Sequence, residues 1–203
     1  MIKRIIFDID ETLLKTTEDC INAYNEYFNS IKVKIDGKKL YDLIDKYELN
    51  GGNFQKEDLE KYIKKNLYAN FNLNDMLAIY SRYGTLKNNK ITHALEYLSK
   101  KYDIIALTNW YAEVQTNRLD KANISKYFSK VYGIDNNCFK PQEKAFLNAC
   151  GDYKTSECLM IGDSLKTDII VPVKLGMNVY YCGTDSNNQY PSIKEINELE
   201  ELL

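Results

Sequence analysis

The sequence predicts an α/β fold: a doubly wound parallel sheet that carries an inserted α-helical domain. Three observations predict it. Short apolar runs of strand length at residues 5–7, 104–107 and 159–161 alternate with helix-period segments, the rhythm of a parallel sheet with right-handed crossovers. Between the first two runs, residues 16–83 show helical spacing and little strand-like alternation. Each run gives way to polar residues: Asp8 and Asp10, then Thr108 and Asn109, then Asp163. In an open parallel sheet these carboxyl-end loops share one edge, and ligands bind there.

In chain order, residues 2–7 form the first strand. Apolar residues then recur at helical spacing, as in Cys20, Ile21, Tyr24, Tyr27 and Phe28. Breaks near 35–37, 50–53 and 70–74 divide the stretch into three or four helices. A helical insertion directly behind the Asp8 loop would cover it, so the expected organisation is a core of 1–15 and 84–203 with a helical cap of 16–83. Gly51 and Gly52 read as a helix-to-helix turn. Beyond Gly84 the spacing predicts helix 91–101, strand 102–107, helix 111–122, strand 130–134, helix 142–150 and strand 157–161. Helix 164–175, strand 178–181 and helix 193–202 complete the chain. Gly176 suits a helix stop. Pro172 inside the helix implies a kink, or an end nearer Val171.

Composition narrows the function classes. A chain of 203 residues holds one core, or one core and a small appended domain. It is 44% hydrophobic and 28% charged, ordinary for a soluble globular protein. A formal net charge of -2 provides no basic field for nucleic acid or an anionic membrane. The five cysteines, Cys20, Cys138, Cys150, Cys158 and Cys182, are odd in number and lack a C-x-x-C pair, so free thiols in a reducing compartment are expected. No signal-peptide pattern and no 18-residue apolar run occur, and a cytoplasmic location is expected. His93 is the single histidine, which argues against a His-based zinc site or a Ser-His-Asp triad. It falls in a helical pattern and reads as a surface or packing residue.

The polar strand ends suit one kind of chemistry. Asp8, Asp10, Asp163 and Asp168 are hard oxygen ligands, the set that suits Mg²⁺ together with substrate phosphate oxygens. Lys140, in the loop after the third strand, offers a point charge for phosphate. Thr108 and neighbouring loop amides can hold further oxygens. A carboxylate can serve as covalent nucleophile, and a second one at another side of the pocket as acid or base. Plainer readings exist for each: Asp163 as a helix cap, Asp168 as a first-turn partner of the helix dipole, Thr108 and Asn109 as turn residues, Lys56 and Arg82 as solvated charges.

Taken in order, Asp8-x-Asp10-x-Thr12, Leu107-Thr108-Asn109, Lys140-Pro141 and Gly162-Asp163-Ser164-x-x-x-Asp168 resemble the four motifs of the haloacid dehalogenase-like (HAD) hydrolase superfamily. The resemblance covers roughly the whole chain if 16–83 is the helical cap of that superfamily's first cap class, and it implies a Rossmann-like core. It further implies Asp8 as nucleophile, Asp10 as acid and base, and Thr12 as the residue that orients Asp10. Thr108 with Asn109 would bind phosphate, and Lys140 would neutralise charge on Asp8 and the phosphate. Mg²⁺ would be held by Asp8, the Asp10 carbonyl and Asp163, with Asp168 in support. The family's dehalogenases lack the second aspartate, so Asp10 implies phosphate chemistry rather than C–Cl cleavage. The implied activity is Mg²⁺-dependent hydrolysis of a small soluble phosphate ester, such as a sugar phosphate, phosphoglycolate or a nucleoside monophosphate. A phosphomutase of the same fold is the alternative, and a non-catalytic metal- or phosphate-binding regulator a more distant one. Three departures from the family pattern stand out: Glu11 where Gly is common, no glycine-containing pattern ahead of Lys140, and Pro172. The run Asp8-Ile9-Asp10-Glu11-Thr12-Leu13 also resembles the nucleotidase branch.

Overall fold

The computed structural model describes residues 1–136, 138–183 and 189–203. Five strands form one sheet: β1 (Arg4–Phe7), β2 (Asp103–Leu107), β3 (Lys130–Tyr132), β4 (Cys158–Gly162) and β5 (Asn178–Tyr181). Their order is β3-β2-β1-β4-β5 and every pair is parallel. Ile5 stands opposite both Ile104 and Leu159, which puts β1 at the centre. Successive side chains of a strand face opposite sides, and both sides here are apolar. Ile5, Phe7, Ile104 and Ile161 pack on one side with Leu95, Leu98 and Leu119. Ile6, Ile105, Leu107 and Met160 pack on the other with Phe146 and Ala149. The short apolar runs are therefore strands buried on two faces.

Four helices lie between β1 and the next core helix: α1 (Thr16–Ser30), α2 (Gly37–Leu49), α3 (Lys56–Asn66) and α4 (Leu73–Tyr80). Asp36 caps α2 by accepting from the Lys38 amide, and Asn72 caps α4 by accepting from that of Asp75. The helices bury their own cluster, which includes Tyr27, Phe28, Leu40, Leu59, Phe71 and Met76. Each such side chain contributes about 1.5–3 kcal/mol on full burial. Tyr27 meets Phe28 and Phe71 edge-on at 5.3 and 5.2 Å. A Cβ at Gly37 would come within 2.5 Å of the Ile21 carbonyl oxygen, so glycine there allows α2 to lie close on α1. Gly51, with φ +77°, turns the chain out of α2.

The insertion leaves and rejoins the sheet side by side. The Lys15 amide donates to the Thr85 carbonyl at 2.8 Å, and the Lys87 amide to the Leu13 carbonyl at 3.0 Å. Beyond this crossing come α5 (Ile91–Ser99), α6 (Ala112–Lys121), α7 (Glu143–Cys150), α8 (Ile170–Lys174) and α9 (Leu199–Leu202).

Three predicted elements differ. The strand expected over 130–134 stops at Tyr132, because the Ile134 amide turns to the Trp110 carbonyl and a 3₁₀ turn follows at Ile134–Asn136. The helix expected over 164–175 is a π-helical turn, Leu165–Ile169, running into α8. Pro172 lies in the first turn of α8. The helix expected over 193–202 shrinks to a 3₁₀ turn at Ile196–Glu198 and α9, since the Ile193 amide donates to the Tyr181 carbonyl at the sheet edge. Other ends move by a few residues; β1 starts at Arg4, and Gln142 caps α7 rather than beginning it. Within the segment ahead of Lys140, Asn137 lies outside the described residues.

Candidate active site

A cavity of about 400 Å³ opens at the carboxyl edge of the sheet. Its floor carries Asp8, Asp10, Lys140, Asp163 and Asp168. Asp8 leaves β1, Asp163 leaves β4, and Lys140 arrives from the loop between β3 and α7. Lys140 is 2% exposed, and its ammonium lies 2.6 Å from both Asp8 Oδ1 and Asp168 Oδ1. The Asp168 Oδ2 atom accepts from the Ser164 amide at 3.0 Å. A Cβ at Gly162 would lie 2.4 Å from that same oxygen, so glycine there makes room for the Asp168 carboxylate.

Asn109 fixes the Lys140 loop. Its Oδ1 accepts from the Lys140 amide at 2.7 Å, and its Nδ2 donates to the Lys140 carbonyl at 2.9 Å. Thr108 is fully buried, and its hydroxyl donates to Asp10 Oδ2 at 3.1 Å. Both side chains expected on phosphate are thus committed within the protein: Asn109 holds Lys140 and Thr108 holds Asp10.

Asp10 forms a second polar centre. Its Oδ1 accepts from Thr16 at 2.6 Å and from Arg118 Nη1 at 2.7 Å; its Oδ2 accepts from Gln115 Nε2 at 2.6 Å as well as from Thr108. Burial pushes the Asp10 carboxyl up, but the Arg118 charge and the bonds from Thr16 and Gln115 outweigh it and hold the group below the ordinary range. Thr12 does not orient Asp10. Glu11 adopts φ 55°, which turns the chain so that the Thr12 hydroxyl faces Asp163 at 3.4 Å and Thr16 reaches Asp10 instead. A non-glycine residue in that conformation is strained. The Glu11 carboxylate offsets the strain by accepting from the Thr17 amide at 2.7 Å, at the start of α1.

The first centre fits a divalent cation. Carboxylate oxygens of Asp8, Asp163 and Asp168 lie within 4.8 Å of one another, and Asp8 Oδ2 is buried without a hydrogen-bond partner. Lys140 and the Ser164 amide each hold one Asp168 oxygen, whereas Asp8 Oδ2 has no partner, so Asp8 Oδ2 and Asp163 are the better-placed ligands, with Asp168 in support. Burial, then repulsion from Asp168 and Asp163, hold the Asp8 carboxyl well above its usual value despite Lys140. Burial and Asp168 push Asp163 to about 6. One ammonium does not balance three crowded carboxylates; a second cation would.

A pH dependence follows. The folded metal-free site keeps protons that the unfolded chain releases near the ordinary value of 3.8, so its contribution to stability falls as pH rises from there through about 6. Mg²⁺ must displace those protons. Its affinity is expected to weaken by roughly tenfold or more per pH unit below about 6. Calorimetric titration between pH 5 and 8 checks this, and affinity independent of pH would refute it.

The sequence reading missed Thr16, Gln115, Arg118 and Asp19. Gln115 and Arg118 are three apart on a predicted helix, and a polar pair on one face was the available signal. On the insertion side, Tyr41, Asp45 and Glu48 of α2 line the cavity together with Tyr24, Phe54 and Tyr80, and Trp110 of the core faces them. Lys56 and Arg82 do not line it; Arg82 pairs with Glu26.

Residues 5–182 match the family model described as haloacid dehalogenase-like hydrolase. The chain belongs to this family. A HAD relative is YfnB of Bacillus subtilis (strain 168), whose name assigns it to the HAD hydrolases. It is 26% identical over 112 residues, a match covering 52% of this chain and 48%, about half, of the relative. Its solved structure, described as bound to magnesium, superposes with TM-score 0.79 at 18% identity over 100% of this chain and 98% of that one. A HAD phosphatase from Thermococcus onnurineus gives 0.71 at 21% identity, covering 99% and 97%. The L-2-haloacid dehalogenase of Xanthobacter autotrophicus gives 0.76 at 13%, covering 100% and 98%. At these identities the structures share the HAD fold, and its members here differ in chemistry.

Proposed function

We propose that this HAD hydrolase is a Mg²⁺-dependent phosphatase that hydrolyses a small soluble phosphate monoester through an aspartyl-phosphate. The observation that carries the reading is the pair of unlike carboxylates two residues apart. Asp8 Oδ2 is buried and unbonded on the cavity floor, whereas Asp10 is ionised among four donors. Asp8 Oδ2 attacks phosphorus and the ester P–O bond breaks. An ester bound as its monoanion brings the proton that Asp10 hands to the leaving oxygen. Water then attacks the aspartyl-phosphate, Asp10 takes its proton, and Asp8 and phosphate are released. Lys140 holds Asp8 in place and neutralises charge beside it. Mg²⁺, held by Asp8, Asp163 and the Asp10 carbonyl, would neutralise the phosphate oxygens. Displacement of halide needs no proton for its leaving group, so a second carboxylate beside Asp8 suits the phosphate ester better than a haloacid.

The four-helix insertion acts as the cap in this reading, with the core contributed by 1–15 and 84–203. Its wall of Tyr24, Tyr41, Phe54, Asp45 and Glu48 would meet the alcohol part of the ester. The five cysteines are free thiols, which suits a cytoplasmic protein, and among the described residues no helix is long and apolar enough to cross a membrane. The test is phosphate release from a panel of monoesters with and without Mg²⁺, beside halide release from 2-haloacids. Metal-dependent phosphate release is expected. Halide release alone would overturn the reading, and isomerised sugar phosphate without free phosphate would point to a mutase.

A further inference from the structure

Arg118 is the largest fully buried side chain among the described residues, and the chemistry above makes no direct use of it. Its guanidinium touches three parts of the molecule. Nη1 donates to Asp10 Oδ1 and Gln115 Oε1, each at 2.7 Å. Nη2 donates to Thr16 Oγ1 at 3.1 Å and Asp19 Oδ2 at 3.4 Å, where the chain leaves for the insertion. Nε donates to the Tyr83 carbonyl at 3.1 Å, and the guanidinium lies 4.4 Å from the centre of the Tyr80 ring, where the chain returns. The returning chain is also packed against the main chain at this point: a Cβ at Gly84 would lie 2.1 Å from the Arg118 carbonyl oxygen. Asp19 closes the loop by accepting from the Thr85 amide at 2.9 Å.

A guanidinium is a planar fork whose donors keep fixed relative directions. Movement of either chain crossing must therefore tilt the fork, and the fork is one of the donors that aim Asp10 and holds two others, Gln115 and Thr16. A buried charge network is weak as a stability device, since apolar packing of the same volume often does as well. It is strong as a device for fixing one geometry.

We propose that Arg118 is a positioning residue that couples the seating of the helical insertion to the aim of Asp10, so that the acid/base carboxylate is in place only when both chain crossings are. The proposal rests on the reading of Asp10 as the acid/base group.

The test uses the full chain with Mg²⁺ and para-nitrophenyl phosphate, whose leaving group departs without a proton. R118M removes the fork, R118K keeps a charge without it, and D8N serves as the reference for the reaction itself. In R118M the first step should survive and the water step fail: a burst of about one nitrophenolate per site, then kcat and KM lowered together on the order of 10²-fold, with kcat/KM within about threefold of wild type. R118K should fall between the two. Hydrogen exchange supplies a second readout that needs no turnover. D10N should speed exchange of the Thr85 amide, which Asp10 does not touch, in the wild-type background and not in R118M. Loss of burst and turnover together in both Arg118 variants, or D10N leaving Thr85 unchanged, would overturn the coupling. Full activity in D8N would instead overturn Asp8 as nucleophile, and a wild type that releases no nitrophenolate would overturn the phosphatase reading; in either case the exchange arm then decides Arg118 alone.

Discussion

Asp8→Asn is expected to lose phosphate-ester turnover on the order of 10⁶-fold, the scale on which an enzyme loses its covalent nucleophile, while the protein stays as stable as the parent or becomes more so. The two halves have one cause. Asp8 is 5% exposed, its carboxyl is held above the ordinary range by burial and by Asp168 and Asp163, and its Oδ2 lacks a partner. The metal-free fold therefore disfavours the ionised form of this carboxylate. Asparagine keeps the shape and removes the charge, and the Lys140–Asp168 pair at 2.6 Å still satisfies the ammonium. A gain of about 1 kcal/mol, or roughly 2–4 °C in a chain of this size, is the scale to look for. Thermal melts without metal, run beside the assay, check it. A clearly lower melting temperature would mean that the Asp8–Lys140 contact outweighs the repulsion.

Lys140→Met is expected to do the reverse, costing both activity and fold. It leaves Asp8 and Asp168 facing each other across the space that the ammonium occupied. Removing one partner of a buried ion pair costs about 3–5 kcal/mol, because the remaining charge is buried and uncompensated. The sign with pH follows from the same groups. As pH falls from 8 towards 5, the crowded carboxylates of the variant take up protons and the repulsion fades, so the deficit relative to wild type should shrink. Added Mg²⁺ should shrink it too. Urea melts at both pH values, with and without Mg²⁺, test this; a deficit that ignores both would locate the cost in packing rather than charge.

Much of the fold could be read from the chain because β1, β2 and β4 are short runs buried on both faces, a pattern that few other structures produce. Asp8, Lys140, Asp163 and Asp168 could be gathered without coordinates, since loops at one edge of a parallel sheet converge by topology alone. What failed depended on local turns and distant partners. The family resemblance puts Thr12 on Asp10, but the left-handed Glu11 sends it to Asp163 and brings Thr16 round. Thr108 and Asn109, which the resemblance puts on phosphate, also bond to Asp10 and Lys140, respectively, partners that no local pattern reports. Arg118 lies 108 positions from Asp10, and no local pattern reports a contact of that span. The helix after Asp163 was misjudged because a π-helical turn shifts the frame by one residue, and a period of 3.6 does not anticipate that.

The antiparallel crossing at Leu13–Lys15 and Thr85–Lys87 has a consequence for descent. Seen from the sheet, everything between these two bonded strands is a single loop with adjacent ends. The entropy of closing such a loop grows only slowly with its length, so helices can be lengthened, shortened or exchanged there with little penalty to strand pairing. The residues at the sheet edge and the helices over them can then diverge at separate rates, as a tool keeps its handle while its bits are changed.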